Sequence, residues 1–255
     1  MQEYLIKLHN LKLFTLEEAA NVLGKKGAAS ELLRNYVDKG LVCKVRRNLY
    51  GVTNPATGHI LVDWSEIGSS ITPSSYISYH SALEYYGLAN QMFYDVYVSS
   101  ESRFNDFEFD GRTYRYCGSG SDKGITTPLM SGNVKVTTLE RTVIDCIDRI
   151  DRSGGTEELL QSIRSVQYLD ENRLLEILED YNKATLYKKT GFVLEHYGDR
   201  LRLSKDFFDC CREKDNVGSK LLASSEACTK FDSKWRIYYP EIFYDLVQQD
   251  DYEIV

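Results

Sequence analysis

The sequence predicts an α+β protein: a small basic N-terminal module of helices and one hairpin, then a larger acidic body in which a sheet-rich part precedes a helical part. Three observations predict it. Helix caps and stops follow one another closely over the first 55 residues. Apolar runs of period two, separated by turn dipeptides, dominate the middle. Beyond Gly154-Gly155 the apolar residues recur at the 3.6-residue spacing of helices.

Taken in order, Thr15 and Glu18 have the spacing of a capping box, so LEEAANVLG reads as a helix that Gly24 stops. A second helix runs from about Ala28 to Lys39 and closes at Gly40. Its Leu32, Leu33, Tyr36 and Val37 are expected to face Ala19, Ala20 and Leu23. LVCKVRRNLYGV then supplies two β-prone runs joined at Arg47-Asn48, where Asn tolerates the positive φ of a tight turn. Strand alternation puts Lys44 and Arg46 on one face and Cys43 and Val45 on the other. Helix, turn, helix and basic hairpin in this order is the layout of a winged helix-turn-helix. It is expected to span residues 1–58, ending at the turn cluster Asn54-Pro55-Ala56-Thr57-Gly58.

Residues 59–255 form the body. In its sheet-rich part, 59–152, Ser78 and Gly87 bracket a helix over ISYHSALEYYGL. Residues 93–100, 104–109 and 112–118 read as strands, and Asp110-Gly111 is the strongest short hairpin signal in the chain. Residues 134–137 form another strand. Thr137 and Glu140 read as a second capping box, opening a helix with the apolar face Leu139, Val143, Cys146, Ile147 and Ile150. Gly118-Ser119-Gly120-Ser121 reads as a mobile loop. In the mainly helical 153–255, Thr156 is expected to cap one helix and Asp170 the next, and YKKTGFVLEHYG continues the pattern. The aromatic tail KWRIYYPEIFYDLVQQ is expected to dock on the body. Helices beside antiparallel strands argue for α+β rather than a doubly wound parallel sheet.

Charge separates the two parts. The chain carries 31 Lys+Arg and 38 Asp+Glu, a formal −7. Residues 1–55 hold nine basic and five acidic residues, a net of +4, which leaves −11 on the other 200. A polyanion would attract the first part and repel the second. Lys26, Ser30 and Arg34 fall four apart on one stripe of the second helix, able to meet phosphates or base edges. Double-stranded DNA is therefore the expected partner.

Other chemistries find little support. No apolar run is long enough to span a bilayer and no signal-peptide pattern opens the chain, so no membrane partner and a cytoplasmic location are expected. Six cysteines without a CxxC pair fit neither a disulfide framework nor a zinc site, and they read as reduced structural thiols. His9, His59 and His196 are isolated, and His80 has no partner by sequence. Arg141 and Asp145, at i and i+4, suit an ion pair better than a metal site. With neither a Walker A motif nor GxGxxG, no cofactor, metal or catalytic residue is expected.

In succession, VRRNLYGV, SYHSALEYYGL, YVSSESRFNDFEFDGRTYRY, VTTLERTVIDCI and KKTGFVLE resemble the AbiEi family, the type IV toxin–antitoxin antitoxins of abortive-infection systems. The resemblance covers the greater part of the chain. Each word is short, and their order carries the match. Asn48 departs from the family, which often has Gly in the wing, yet Asn keeps the turn possible. The resemblance implies a head that binds inverted repeats in its own promoter and represses the operon, with two copies paired on the DNA. It implies a body that counteracts a nucleotidyltransferase-like toxin without a stable complex. It further implies DNA contacts from the wing (Lys44, Arg46, Arg47, Tyr50) and the second helix (Lys26, Ser30, Arg34), with Lys25 beside them. Two other readings compete. One is a ligand-sensing winged-helix regulator unrelated to toxins. The other is a Mg²⁺-dependent nuclease using Asp106, Glu108 and Asp110, although apolar–acidic alternation equally describes a half-solvated hairpin.

Overall fold

In a computed structural model the protein is described over residues 2–24, 26–129, 132–214 and 218–248; Lys25 and the side chains of Leu23 and Lys26 lie outside the described residues. Helix α1 (Gln2–Leu11) leads into strand β1 (Leu13–Phe14). The predicted capping box then forms: the Glu18 amide donates to the Thr15 hydroxyl, and the Glu18 carboxylate accepts the Thr15 N–H at 2.7 Å. It opens α2 (Leu16–Leu23), which Gly24 ends at φ 74°. Helix α3 (Lys26–Asp38) buries Ala29, Leu33 and Tyr36. Val37, expected inside, is exposed, because the buried stripe follows residues 29, 33 and 36 and Val37 falls beyond its edge. Strands β2 (Val42–Arg46) and β3 (Leu49–Val52) pair around Arg47-Asn48, with Asn48 at φ 64°, in a sheet ordered β1-β3-β2.

One strand expectation fails. The β2–β3 register shifts between Lys44 and Arg46, so alternation breaks there. Lys44 stays outward, whereas Arg46 turns in toward the body. Val45 and Leu49 belong to the same buried cluster as Ile67, Ile77, Val96, Val98 and Phe104, so the hairpin is packed into the body's core.

The body starts with α4 (Trp64–Ser69), capped by Asp63, then β4 (Tyr76–Ile77) and α5 (Tyr79–Tyr85). Strands β5 (Asp95–Ser100), β6 (Phe107–Phe109), β7 (Arg112–Gly118), β8 (Ile125–Thr126) and β9 (Val136–Thr137) complete a six-stranded sheet ordered β6-β7-β5-β4-β9-β8. The Asp110-Gly111 hairpin is present, with φ of 50° and 74°. The sheet is mixed rather than antiparallel: β5–β7 and β4–β9 are parallel. A hairpin signal reports only chain neighbours. The β5–β7 pairing follows instead from burying Val96, Val98 and Tyr114 in one cluster, which leaves no local mark. Strand β6 begins later than expected because Phe104 is buried and Asp106 accepts the Tyr116 N–H at 2.9 Å.

Helices α6 (Leu139–Asp148), α7 (Thr156–Arg164), α8 (Glu171–Tyr181), α9 (Ala184–Glu195), α10 (Gly198–Leu201) and α11 (Lys205–Glu213) build the next layer. Two predicted caps are displaced. Thr138 caps α6, leaving Thr137 to hydrogen-bond the Thr142 hydroxyl at 2.6 Å and Glu140 to accept the Asp170 N–H. Gly155 is the N-cap of α7, and the Thr156 amide donates to Glu226 at 2.7 Å. Asp170 caps α8 as expected. Nor is the Gly118–Ser121 loop loose. Ser119 N–H donates to the Ser100 carbonyl, and Arg141 holds the Ser121 and Lys123 carbonyls. The tail docks, but partly as a sheet not foreseen in a helical region: β10 (Lys220–Leu221), β11 (Lys230–Asp232) and β12 (Ile237–Tyr239), ahead of α12 (Phe243–Gln248). All six cysteines are free, Cys210 and Cys211 included. Among the described residues no helix is long and apolar enough to cross a membrane.

Two glycines test the packing in opposite directions. A Cβ on Gly191 of α9 would lie 2.2 Å from the Trp235 ring, which is buried and anchored by its indole N–H to Glu195 at 2.8 Å. Overpacking outweighs the gain in helix propensity, so Gly191→Ala should lower stability by about 1–3 kcal/mol. Gly27, in α3, has nothing within 4 Å of such a Cβ. Gly27→Ala should raise stability by about 0.5–1 kcal/mol. Urea unfolding midpoints of the two variants check both signs.

Candidate nucleic-acid interface and buried polar pairs

The eight residues expected to contact DNA divide by direction. Ser30 and Arg34 are exposed one turn apart on α3, Lys44 is exposed on β2, and Arg47 is exposed at the hairpin turn. Two point inward. The Tyr50 ring stacks on Phe14 with centroids 6.3 Å apart, and the Arg46 guanidinium lies 5.3 Å and 5.0 Å from the rings of Phe104 and Phe107. Lys25 and the Lys26 side chain lie outside the described residues. The hairpin tip does not project freely. Asn48 Oδ1 accepts the Leu16 N–H at 3.2 Å, holding the turn against the start of α2.

That arrangement leaves a cleft of about 680 Å³ between the N-terminal elements and the body. Glu17 and Glu18 line it from α2, Arg46 and Arg47 from the hairpin, and Ser70 and Lys135 from the body. Arg46 Nη1 is sealed from solvent without a hydrogen-bond acceptor. Burial pushes the Arg46 pKa down.

Deeper in the body, two ionisable pairs are enclosed. His80, which the sequence leaves without a partner, meets Glu158 across 78 positions: Nε2 lies 3.0 Å from the carboxylate, and both side chains are essentially unexposed. Glu158 also accepts the Asn90 and Gln91 amides at 2.8 and 3.1 Å. Burial pushes the His80 pKa down and outweighs the pull of Glu158 in the other direction. Arg141 and Asp145 do form the predicted ion pair, at 2.9 Å, and the Tyr181 hydroxyl donates to the same carboxylate. Burial pushes the Asp145 carboxyl up, against the opposing charge of Arg141. No sequence signal marks Glu158 or Tyr181, because their partners lie on other elements.

The candidate nuclease carboxylates do not converge. Asp106 holds the Tyr116 amide and pairs with Arg115 at 3.4 Å, while Asp110 occupies the hairpin turn. Among the described residues, no group of three or more His, Cys, Asp or Glu is placed to hold a metal ion.

No protein-family model matches the chain, and no curated protein matches it. Among solved structures it is similar to the crystal structure of RV2827C protein from Mycobacterium tuberculosis, at 10% identity and a TM-score of 0.66. The match covers 94% of this chain and 89% of that one. At that identity the likeness shows a shared fold.

The buried histidines set an acid limit on stability. His80 and His196 both have pKa values lowered by burial, so the folded state resists protonation below the usual histidine value near 6.5 while the unfolded chain accepts it. Stability should be full above that value and fall as the pH drops below it, by up to about 1.4 kcal/mol per pH unit for each ring. Equilibrium unfolding at a series of pH values between about 7.5 and 5.5 checks this. His80→Asn should flatten the slope even if it lowers stability throughout.

Proposed function

We propose that this protein is a DNA-binding transcriptional regulator whose residues 1–58 act as a winged helix-turn-helix, and that it serves as an autorepressing antitoxin of the AbiEi type. One observation carries the DNA reading. The α2–α3 pair, joined at Gly24, leaves Ser30 and Arg34 exposed one turn apart, with Lys44 outward on the following hairpin. These groups sit on a segment of +4 in a chain whose remainder is −11. In this reading α3 enters the major groove, where Arg34 and Ser30 meet base edges or phosphates. Lys44 and Arg47 grip the backbone and position the helix. The acidic body, repelled by the polyanion, orients the approach. Arg46 and Tyr50 are assigned to packing rather than to DNA. Repression of its own operon, pairing of two copies on inverted repeats and antagonism of a nucleotidyltransferase-like toxin rest on the family resemblance of the sequence.

A gel shift on the DNA upstream of this protein's own gene tests the reading. Wild type should bind in a salt-sensitive manner and prefer that DNA to scrambled competitor. Arg34→Ala/Lys44→Ala should bind at least about tenfold more weakly, with a salt slope shallower by roughly 2. Glu179→Ala, an exposed change on α8 of the body, should behave as wild type. Binding without preference, or unchanged binding by the double variant, would remove α3 and β2 as the interface.

A further inference from the structure

The aromatic-stacked arginines of this protein follow a pattern that one of them breaks. Arg112 lies 4.8 Å over the Trp64 ring and holds Glu84 at 2.7 and 3.2 Å. Arg141 lies 5.0 Å over Tyr181 and holds Asp145 at 2.9 and 3.1 Å. Arg212 lies 5.6 Å over Trp235 and pairs with Glu195 at 3.6 Å. Arg152, 4.9 Å over Tyr79, lies in the field of Asp151. Arg46 sits against two rings at once, yet among the described residues no carboxylate pairs with it and its Nη1 has no acceptor. A half-buried guanidinium without a counter-charge is costly, and every comparable site here supplies an anion.

We propose that the cleft beside Arg46 is a binding site for a small, multiply charged anion of the phosphate-ester class, received by Arg46, Arg47 and Lys135. Arg47 is exposed on the same wall, and the half-buried Lys135 lines the cleft from the body, its Nζ donating to the Pro73 carbonyl at 2.6 Å. Of the two acids in the lining, Glu18 is occupied by its own capping box, at 2.7 and 2.9 Å to Thr15. Three cations therefore face two carboxylates, a net +1, and only Glu17 is without such local hydrogen bonds in its own helix turn. The planar guanidinium fork of the exposed Arg47 matches the oxygens of a phosphoryl group, Arg46 adds its charge from within the wall, and the Ser70 hydroxyl and Asn21 amide add uncharged donors at the rim. The volume, about 680 Å³, falls in the range of small-molecule sites. Burial lowers the Arg46 pKa, with no neighbouring charge acting against it.

Isothermal titration of the full chain with inorganic pyrophosphate, against sodium chloride of matched ionic strength, tests the site without DNA and so independently of the DNA reading. Wild type should give saturable binding that chloride does not reproduce. Arg47→Ala, at an exposed position, and Lys135→Ala, at a half-buried one, should each weaken it by about tenfold. Arg46→Met, which keeps an apolar stem against Phe104 and Phe107 but removes the charge, should weaken it similarly while the protein stays folded by circular dichroism. Absence of saturation in wild type, or equal affinity in all three variants, would overturn the proposal. So would binding of a random duplex that depends on Arg47 and Lys135 when pyrophosphate does not bind, since the cleft would then be a DNA backbone contact.

Discussion

Helix α6 is buried on nearly every side, and much of the body is organised by that fact. Eight consecutive residues, Glu140 to Ile147, are buried, and α5, α7, α8, α9 and β9 all pack against the helix. A helix in that position has no polar face to give to water, so its charged side chains must be matched inside. Arg141 and Asp145 neutralise each other one turn apart, and Tyr181 completes the carboxylate's hydrogen bonding from α8. Glu140 accepts the Asp170 amide at the start of the same α8. Arg141 Nη1 donates to the Ser121 and Lys123 carbonyls and so pins the glycine-containing loop after β7, while Nη2 donates to the Tyr76 hydroxyl. Gly124 answers this demand. It lies at φ 69°, and a Cβ there would stand 2.8 Å from Arg141 Cβ. Each charge on α6 is thus a tie between layers.

The attachment of the N-terminal elements works by similar means but less completely. Apolar contact supplies the base, since Val45 and Leu49 insert into the cluster built on Ile77, Val96 and Val98. Arg46 supplies the orientation by lying against Phe104 and Phe107. A hairpin held in this way cannot swing freely to follow a groove. Whatever shifts the hairpin against the body also shifts α3, which packs on β2, so under the proposed reading a duplex on α3 would be presented to the whole molecule.

Much of this was legible in the sequence where the causes are local. The Thr15–Glu18 box, the Gly24 stop, the Asn48 turn, the Asp110-Gly111 hairpin and the Asp170 cap all depend on residues within four positions of each other. What was not legible depends on distant partners. The β5–β7 pairing, the cap shift from Thr137 to Thr138 and the C-terminal sheet around Ile237 are decided by what is buried against what. The candidate interface shows the same division. Ser30, Arg34 and Lys44 were placed outward by periodicity alone. Arg46 defeated it, because one bulge reverses the side on which a strand residue emerges. Its partners Phe104 and Phe107 lie far along the chain and look like ordinary strand residues.

Arg46 also separates two uses of charge that a count of residues merges. The +4 of residues 1–55 is a long-range property, and its field attracts a polyanion whichever way each side chain points. Contact is a short-range property and belongs only to groups that water can reach. Turning Arg46 toward Phe104 and Phe107 therefore leaves steering almost intact while removing one donor from the outward surface. What remains outward, Arg34 on the helix with Lys44 and Arg47 on the hairpin, is a sparse set. A sparse set positions DNA well only if its members are held rigidly with respect to one another, because each lost degree of freedom must otherwise be supplied at the moment of binding. The fastening of the hairpin to the body provides that rigidity, so under the proposed DNA reading an inward arginine would contribute by fixing where the outward ones stand.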